Sequence, residues 1–183
     1  MTSDADRRRL LRIARDAIVA HVSGGLVARV EPVGEGELDG RRCGAFVTLH
    51  IHLDLRGCIG HIEPNEPLPR VVERCAVSAC SADPRFPAVT ASELAHLEIE
   101  LSLLGPLEPL TSPDEVEIGR HGLVIELGRR RGLLLPQVAT QWRWDRVTFL
   151  AETCRKAGLP RDGWQHGADV WRFEAEVFGE DRR

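Results

Sequence analysis

From Leu97 to Leu103 the chain alternates without a break: Leu97, Ile99, Leu101 and Leu103 are apolar, and Glu98, Glu100 and Ser102 between them are polar. Successive side chains on a strand point to opposite faces, so this pattern predicts a strand with one face in a core and the other outside it. The same period returns at Ala45, Val47 and Leu49 against Phe46 and Thr48. It returns again at Trp171, Phe173, Ala175 and Val177 against Arg172, Glu174 and Glu176. Strands of a parallel sheet are buried on both faces and read as continuous apolar runs; these are half-buried. The expected class is therefore α+β, a mostly antiparallel sheet with flanking helices.

Helical spacing accounts for other segments. Leu10, Leu11, Ala14, Ala17, Ile18 and Val22 predict a helix from about Asp4 to Val22, stopped by Ser23-Gly24-Gly25. Residues 31 to 42 are rich in Gly and Glu and read as an exposed loop. Leu55 to Ile59 reads as a strand. The proline-rich run from Pro64 to Pro69 leads into a helix with Leu68, Val71, Val72, Cys75, Ala76 and Ala79 on one face. Asp83-Pro84-Arg85-Phe86-Pro87 is expected to be irregular, because each proline restricts its predecessor. Thr90 with Glu93, and Ser112 with Glu115, have capping-box spacing. Gly122–Leu127 and Gly132–Leu135 form a hairpin turned through Arg129-Arg130-Arg131, and a further helix runs from about Asp145 to Ala157.

Several function classes are disfavoured. A length of 183 residues fits one domain, residues 1–183, with room for two lobes packed as one unit. The net charge of −4 lacks the basic excess of a nucleic-acid binder, and three arginines are too few to carry such affinity. No stretch approaches the roughly 18 apolar residues of a membrane span, and the polar N-terminus lacks a signal-peptide core. The expected location is the cytoplasm. The five cysteines form no CxxC pair and read as reduced thiols. There is no GxGxxG after a strand and no Walker loop.

The candidate chemical centre is Leu55-Arg56-Gly57-Cys58-Ile59-Gly60-His61. On an extended chain Arg56 and Cys58 share a face, roughly 7 Å apart. A guanidinium at that range favours the thiolate, which is the nucleophile and metal ligand. Gly57 and Gly60 lack side chains and admit another backbone or a ligand. His61 is placed to act as a base or a ligand. The competing reading makes Cys58 a small core residue and the glycines packing devices.

The six residues Leu55 to Gly60 resemble the signature of the AMMECR domain family, bacterial members of AmmeMemoRadiSam system protein A type in particular. Gly44 to Leu49, Asp83 to Pro87, Glu98 to Leu104, Ile118 to Leu123 and Leu135 to Ala139 agree in order, as does the helix from Thr148 to Gly158. The resemblance covers roughly residues 10 to 178. It implies an α+β fold of two lobes forming a cleft, with the signature near it. It also implies two companions, a Memo-type protein and a radical S-adenosylmethionine enzyme. This chain has no CxxxCxxC triad, so it is not itself the radical enzyme. Similar proteins carry a glycine-containing turn before the signature, where this chain has Ile51-His52-Leu53-Asp54.

The remaining candidates each have two readings. On a continuous strand His50, His52 and Asp54 would share a face with Arg56 and Cys58; the turn implied by the resemblance would scatter them. No metal site is assigned; if a metal is bound, Cys58, His61 and one of His50 or His52 hold it. His121 is either an acid or base facing Cys58 or a hairpin-edge residue with a local hydrogen bond. Arg85 either clamps an anionic ligand, as arginine forks do, or pairs with Asp83. Glu98 and Glu100 are an acid–base pair or, by preference, a solvated sheet face. Trp142 and Trp144 either cover the core or offer a surface to a partner. Two functions follow. In the first, an enzyme or enzyme component uses Cys58 with His61 or His121 as base, and Arg56, Gly57, Gly60 and Arg85 line the substrate site. In the second, a non-catalytic module binds a peptide or protein, and Cys58 is structural. No cofactor is identified.

Overall fold

A computed structural model describes residues 2–25, 37–63 and 65–180. In chain order its helices are α1 (Asp4–Val22), α2 (Glu37–Gly40), α3 (Leu68–Ser81), α4 (Pro136–Gln141) and α5 (Arg146–Lys156). Its strands are β1 (Ala45–Ile51), β2 (Asp54–His61), β3 (Leu97–Leu104), β4 (Glu108–Pro109), β5 (His121–Leu127), β6 (Arg130–Leu134) and β7 (Asp169–Gly179). Every pairing with a described register is antiparallel. The α+β class read from the alternating segments is the fold that forms. The chain divides into two compact units, one of Met1–Leu104 with Glu176–Arg183 and one of Gly105–Ala175.

In the first unit β1 lies between β2 and β3. The inward residues Ala45, Val47, Leu49, Ile99, Leu101 and Leu103 pack with Leu10, Ala14 and Ile18 of α1 and Val72, Cys75 and Ala76 of α3. Alternation sends Phe46, Thr48, His50, Glu98, Glu100 and Ser102 to the opposite face. The Ser3 side chain caps α1 by accepting the Asp6 N–H at 3.2 Å. Residues 31–36 of the expected loop lie outside the described residues, but 37–40 form a helical turn rather than loop, because Leu38 is buried in this core.

A two-residue turn joins β1 to β2, with His52 at φ +51° and Leu53 at φ +73°. Both values are left-handed, as a type I′ hairpin turn requires, although the Asn-Gly or Asp-Gly that favours it is missing. The turn ends the strand before His52, so His50, His52 and Asp54 do not share one continuous strand face. Beyond it the register slips. His50 pairs with Leu55 and Leu49 pairs with Gly57, which leaves Arg56 as the extra residue of a β-bulge.

The second unit places β5 between β6 and β7, with β4 on β7. Leu123 and Ile125 of β5 pack with Phe149, Leu150 and Cys154 of α5, over a core that includes Val116 and Ala139. Asp145 caps α5 by accepting the Thr148 N–H at 2.7 Å. The β5–β6 turn falls at Gly128-Arg129, with Gly128 at φ +63°. Arg130 and Arg131 are therefore strand residues rather than turn residues. The short helix α4 carries no apolar period long enough to be read from sequence. Among the described residues no helix is long and apolar enough to cross a membrane.

Candidate functional site

The signature segment lies in β2, at the end of the first unit's strand order. An edge strand exposes unpaired backbone groups, and here the loop after α3 covers them. The Cys58 N–H donates to Asp83 Oδ2 at 2.8 Å. Arg85 donates back to the same carboxylate, through Nε at 2.9 Å and Nη2 at 2.7 Å. The Asp83 side chain is 2% exposed and that of Arg85 is 53% exposed. The Arg85 fork, with the Cys58 and Arg85 N–H groups, holds the Asp83 carboxyl well below the usual carboxylate range against the opposing effect of burial. Arg85 thus makes the ion pair that was one of its two readings, and this pair clips the loop to the backbone of the signature cysteine.

Arg56 points elsewhere. Its Nε donates to Glu93 Oε1 at 2.7 Å and its Nη1 to the Pro87 carbonyl at 2.9 Å. Glu93 also accepts the Thr90 N–H at 2.8 Å, completing the capping box read from sequence. Arg56 first, then the Thr90 N–H, hold the Glu93 carboxyl at about 2.

The expectation that Arg56 tunes the Cys58 thiol is therefore corrected. The bulge turns the guanidinium toward Glu93, and the cation acting on the sulfur is Arg85. Burial pushes the Cys58 thiol up; Thr48 and Arg85 pull it back, while Asp83 and Glu100 add to burial. The Thr48 hydroxyl lies 3.4 Å from the sulfur. A thiol raised in this way is the protonated form at neutral pH. His61 is three residues further along the strand, so it points to the face opposite Cys58.

The two glycines are closely packed. A Cβ on Gly57 would stand 2.3 Å from the Ala79 carbonyl oxygen, so the end of α3 lies directly on this strand. A Cβ on Gly60 would stand 2.2 Å from the ring of Phe46, its cross-strand partner on β1. Neither glycine has a positive φ. Their lack of a side chain serves close approach by protein, a backbone at Gly57 and an aromatic ring at Gly60.

What the register does assemble is a row across three strands on the outer face: Cys58, Thr48 and Glu100. The next row holds His50 opposite Glu98. A cavity of about 210 Å³ opens there, lined by His50, Leu53, Glu98, Glu100, Gly179 and Glu180 among others. Glu180 is engaged by Arg15 and by the Ile99 N–H. Glu98 and Glu100 make no ion pair among the described residues, and both are half-buried rather than fully solvated. Sequence reading missed Thr48 and undervalued Glu100. The signal was their two-residue spacing from His50 and Glu98, which becomes informative only once the register is known.

His121 belongs to the second unit. It is buried, and its Nδ1 accepts the Glu117 N–H at 3.1 Å, a local bond of the kind expected at a hairpin edge. Trp142 and Trp144 stack with ring centroids 6.2 Å apart around Arg143 at φ +54°. Trp144 packs on the second core, while Trp142 is 64% exposed. Among the described residues no three His, Cys, Asp or Glu side chains converge as metal ligands, and Cys58, His61 and His50 are not brought together.

Comparison with known proteins gives a consistent result. A family model described as AMMECR1 matches residues 11–178. A protein of Methanothermobacter thermautotrophicus is 45% identical over 181 residues, covering 95% of this chain and 94% of its own length. One from Thermococcus gammatolerans is 43% identical, covering 94% of this chain and 89% of its own length. The crystal structure of an uncharacterised protein from Pyrococcus horikoshii matches with a TM-score of 0.86 at 39% identity, over 94% of this chain and 90% of that one.

Proposed function

The chain belongs to the AMMECR1 family, and from that premise we propose that it is a non-catalytic binding component acting with a Memo-type protein and a radical S-adenosylmethionine enzyme. Its recognition surface is the outer face of the first unit's sheet, and Cys58 is a half-buried packing residue of that face, against Thr48. One observation carries this reading. The thiol is raised by burial and bonded to Thr48, while the arginine expected to activate it is committed to Glu93. A nucleophilic cysteine needs the reverse, a thiol lowered by a free cation. A cavity on the same face offers two carboxylates, Glu98 and Glu100, that make no ion pair among the described residues, with His50. That chemistry suits a basic side chain from a companion, since opposite charge both steers and positions an incoming partner.

The test is copurification of the chain with its two companions. Cys58→Ala is expected to retain them, and Glu98→Lys with Glu100→Lys to release them. A Cys58→Ala protein that keeps its fold but loses cellular function would overturn the reading in favour of chemistry at the sulfur. So would retention of both companions by the charge-reversed variant.

A further inference from the structure

The ends of α1, α4 and α5 share one hydrogen-bond pattern. Beyond α1 the Gly24 N–H donates to the His21 carbonyl and the Gly25 N–H to the Ala20 carbonyl. Beyond α5 the Gly158 and Leu159 N–H groups donate in the same way to the Arg155 and Cys154 carbonyls. Beyond α4 the donors are Arg143 and Trp144, and the acceptors are the Thr140 and Ala139 carbonyls. Each is a Schellman motif, whose pivot residue is left-handed and favours glycine. The pivots are Gly24 at φ +67°, Gly158 at φ +72° and Arg143 at φ +54°. Two of the three follow the preference and the third is an arginine. A Cβ in that conformation is strained, and such an outlier points to a use for the side chain rather than to a need of the fold.

The flanking residues suggest the use. Trp144 packs on the second core, and the largely exposed Trp142 stacks on it with the ring planes 17° apart. Arg143 is exposed, and its guanidinium makes no hydrogen bond or ion pair among the described residues. Asp145, the nearest acid in sequence, caps α5 instead. Val147, on the first turn of α5, exposes a further apolar side chain. Tryptophan and arginine are enriched among the residues that carry binding energy at protein interfaces. We propose that Trp142, Arg143 and Trp144 dock an acidic segment of a partner protein, with a carboxylate on Arg143 and an adjacent apolar side chain on Trp142. Charge complementarity selects this occupant, because an unpaired cation stands between two aromatic faces. A nucleic acid is disfavoured by the net charge of −4 and the single arginine, since its binding grows with the number of phosphate contacts. A second copy docking with two-fold symmetry would bring Arg143 toward its own equivalent, a contact between like charges. The surface belongs to the second unit and does not rest on the binding role proposed above.

The experiment is selection of a random peptide library on the full chain, after depletion on the Trp142→Ala/Arg143→Gly protein. The enriched peptides are expected to carry Asp or Glu beside an aliphatic or aromatic residue. The strongest of them, synthesised with a fluorophore and titrated by anisotropy, should bind about tenfold more weakly to Trp142→Ala and to Arg143→Gly. Its binding should weaken with added salt and be lost when its acids are replaced by lysine. Arg129→Ala, at an exposed arginine of the β5–β6 turn, should leave binding unchanged. Arg143→Gly should also raise the melting temperature, because glycine relieves the left-handed pivot. Lost binding in a more stable protein separates the docking role from failure to fold. The proposal is overturned if no peptide is enriched, if the enriched peptides lack acids, or if both variants bind the peptide as the parent does. It is equally overturned if Arg143→Gly melts below the parent, if oligouridylate binds more tightly than the peptide, or if sedimentation shows self-association that Trp142→Ala abolishes.

Discussion

Replacing Gly57 by alanine is the sharpest probe of how the signature segment is built. The added Cβ would stand 2.3 Å from the Ala79 carbonyl oxygen, more than about 1 Å inside ordinary contact. The obstacle is helix backbone, and α3 is held by Val72, Cys75, Ala76 and Ala79 in the core, so relief requires shifting a packed helix. Overpacking of this kind costs about 1–3 kcal/mol, and backbone opposition puts Gly57→Ala at about 3. For a chain of this length that is a fall in melting temperature of about 6–12 °C. At Gly60→Ala the nearest obstacle is the Phe46 ring, a half-buried side chain able to turn, and the change should cost about 1 kcal/mol. The Gly60→Ala/Phe46→Leu double variant should then be less destabilised than the two singles added, by about 0.5 kcal/mol or more. Unfolding in urea followed by far-ultraviolet circular dichroism reads this unit, since α1 and α3 are its long helices. A Gly57→Ala protein within about 0.5 kcal/mol of the parent would refute the packing argument, since that is the range of neutral surface changes. A Gly60→Ala cost exceeding that of Gly57→Ala would refute it too.

Leu53→Gly removes a left-handed leucine at φ +73° that is 67% exposed. It should stabilise the chain by about 0.5–1 kcal/mol in the same urea experiment, because the relief of about 1–2 kcal/mol exceeds glycine's entropic cost. Acid stability should follow Asp83 and Glu93, whose folded values lie below their unfolded ones. Their contribution is complete above the unfolded values near about 4 and is lost as pH falls toward the folded ones, about 2 for Glu93. Urea midpoints between about pH 6 and pH 2.5 should therefore decline in the parent and decline less in Glu93→Gln.

Much of this architecture is legible in the sequence. Strand β3 is written in its alternation, α1 and α3 in their apolar spacing, and the Thr90–Glu93 box in its interval. The centre of the site was misread for one reason, the bulge. A two-residue turn at His52-Leu53 with unbroken pairing would set Arg56 opposite Leu49 and Cys58 opposite Val47. That frame drives a guanidinium into the aliphatic core, at a cost no local contact offsets. Inserting Arg56 as the extra residue brings Gly57 under α3 and Cys58 opposite Thr48. No propensity at position 56 announces this; it follows from what the core tolerates. The Arg56–Glu93 and Cys58–Asp83 links were out of reach for a similar reason. They join residues 37 and 25 positions apart, and the loop that brings them together carries no periodicity to place it.

The state of the Cys58 thiol is tested most directly by its alkylation rate with iodoacetamide as a function of pH, resolved by peptide mass from the half-exposed Cys43. The rate is expected to rise only above the ordinary thiol value of about 8.5, with no plateau near neutrality. A plateau reached below about pH 7.5 would mean a thiolate stabilised in the folded chain, and would contradict the reading of Cys58 as a half-buried, Thr48-bonded packing group.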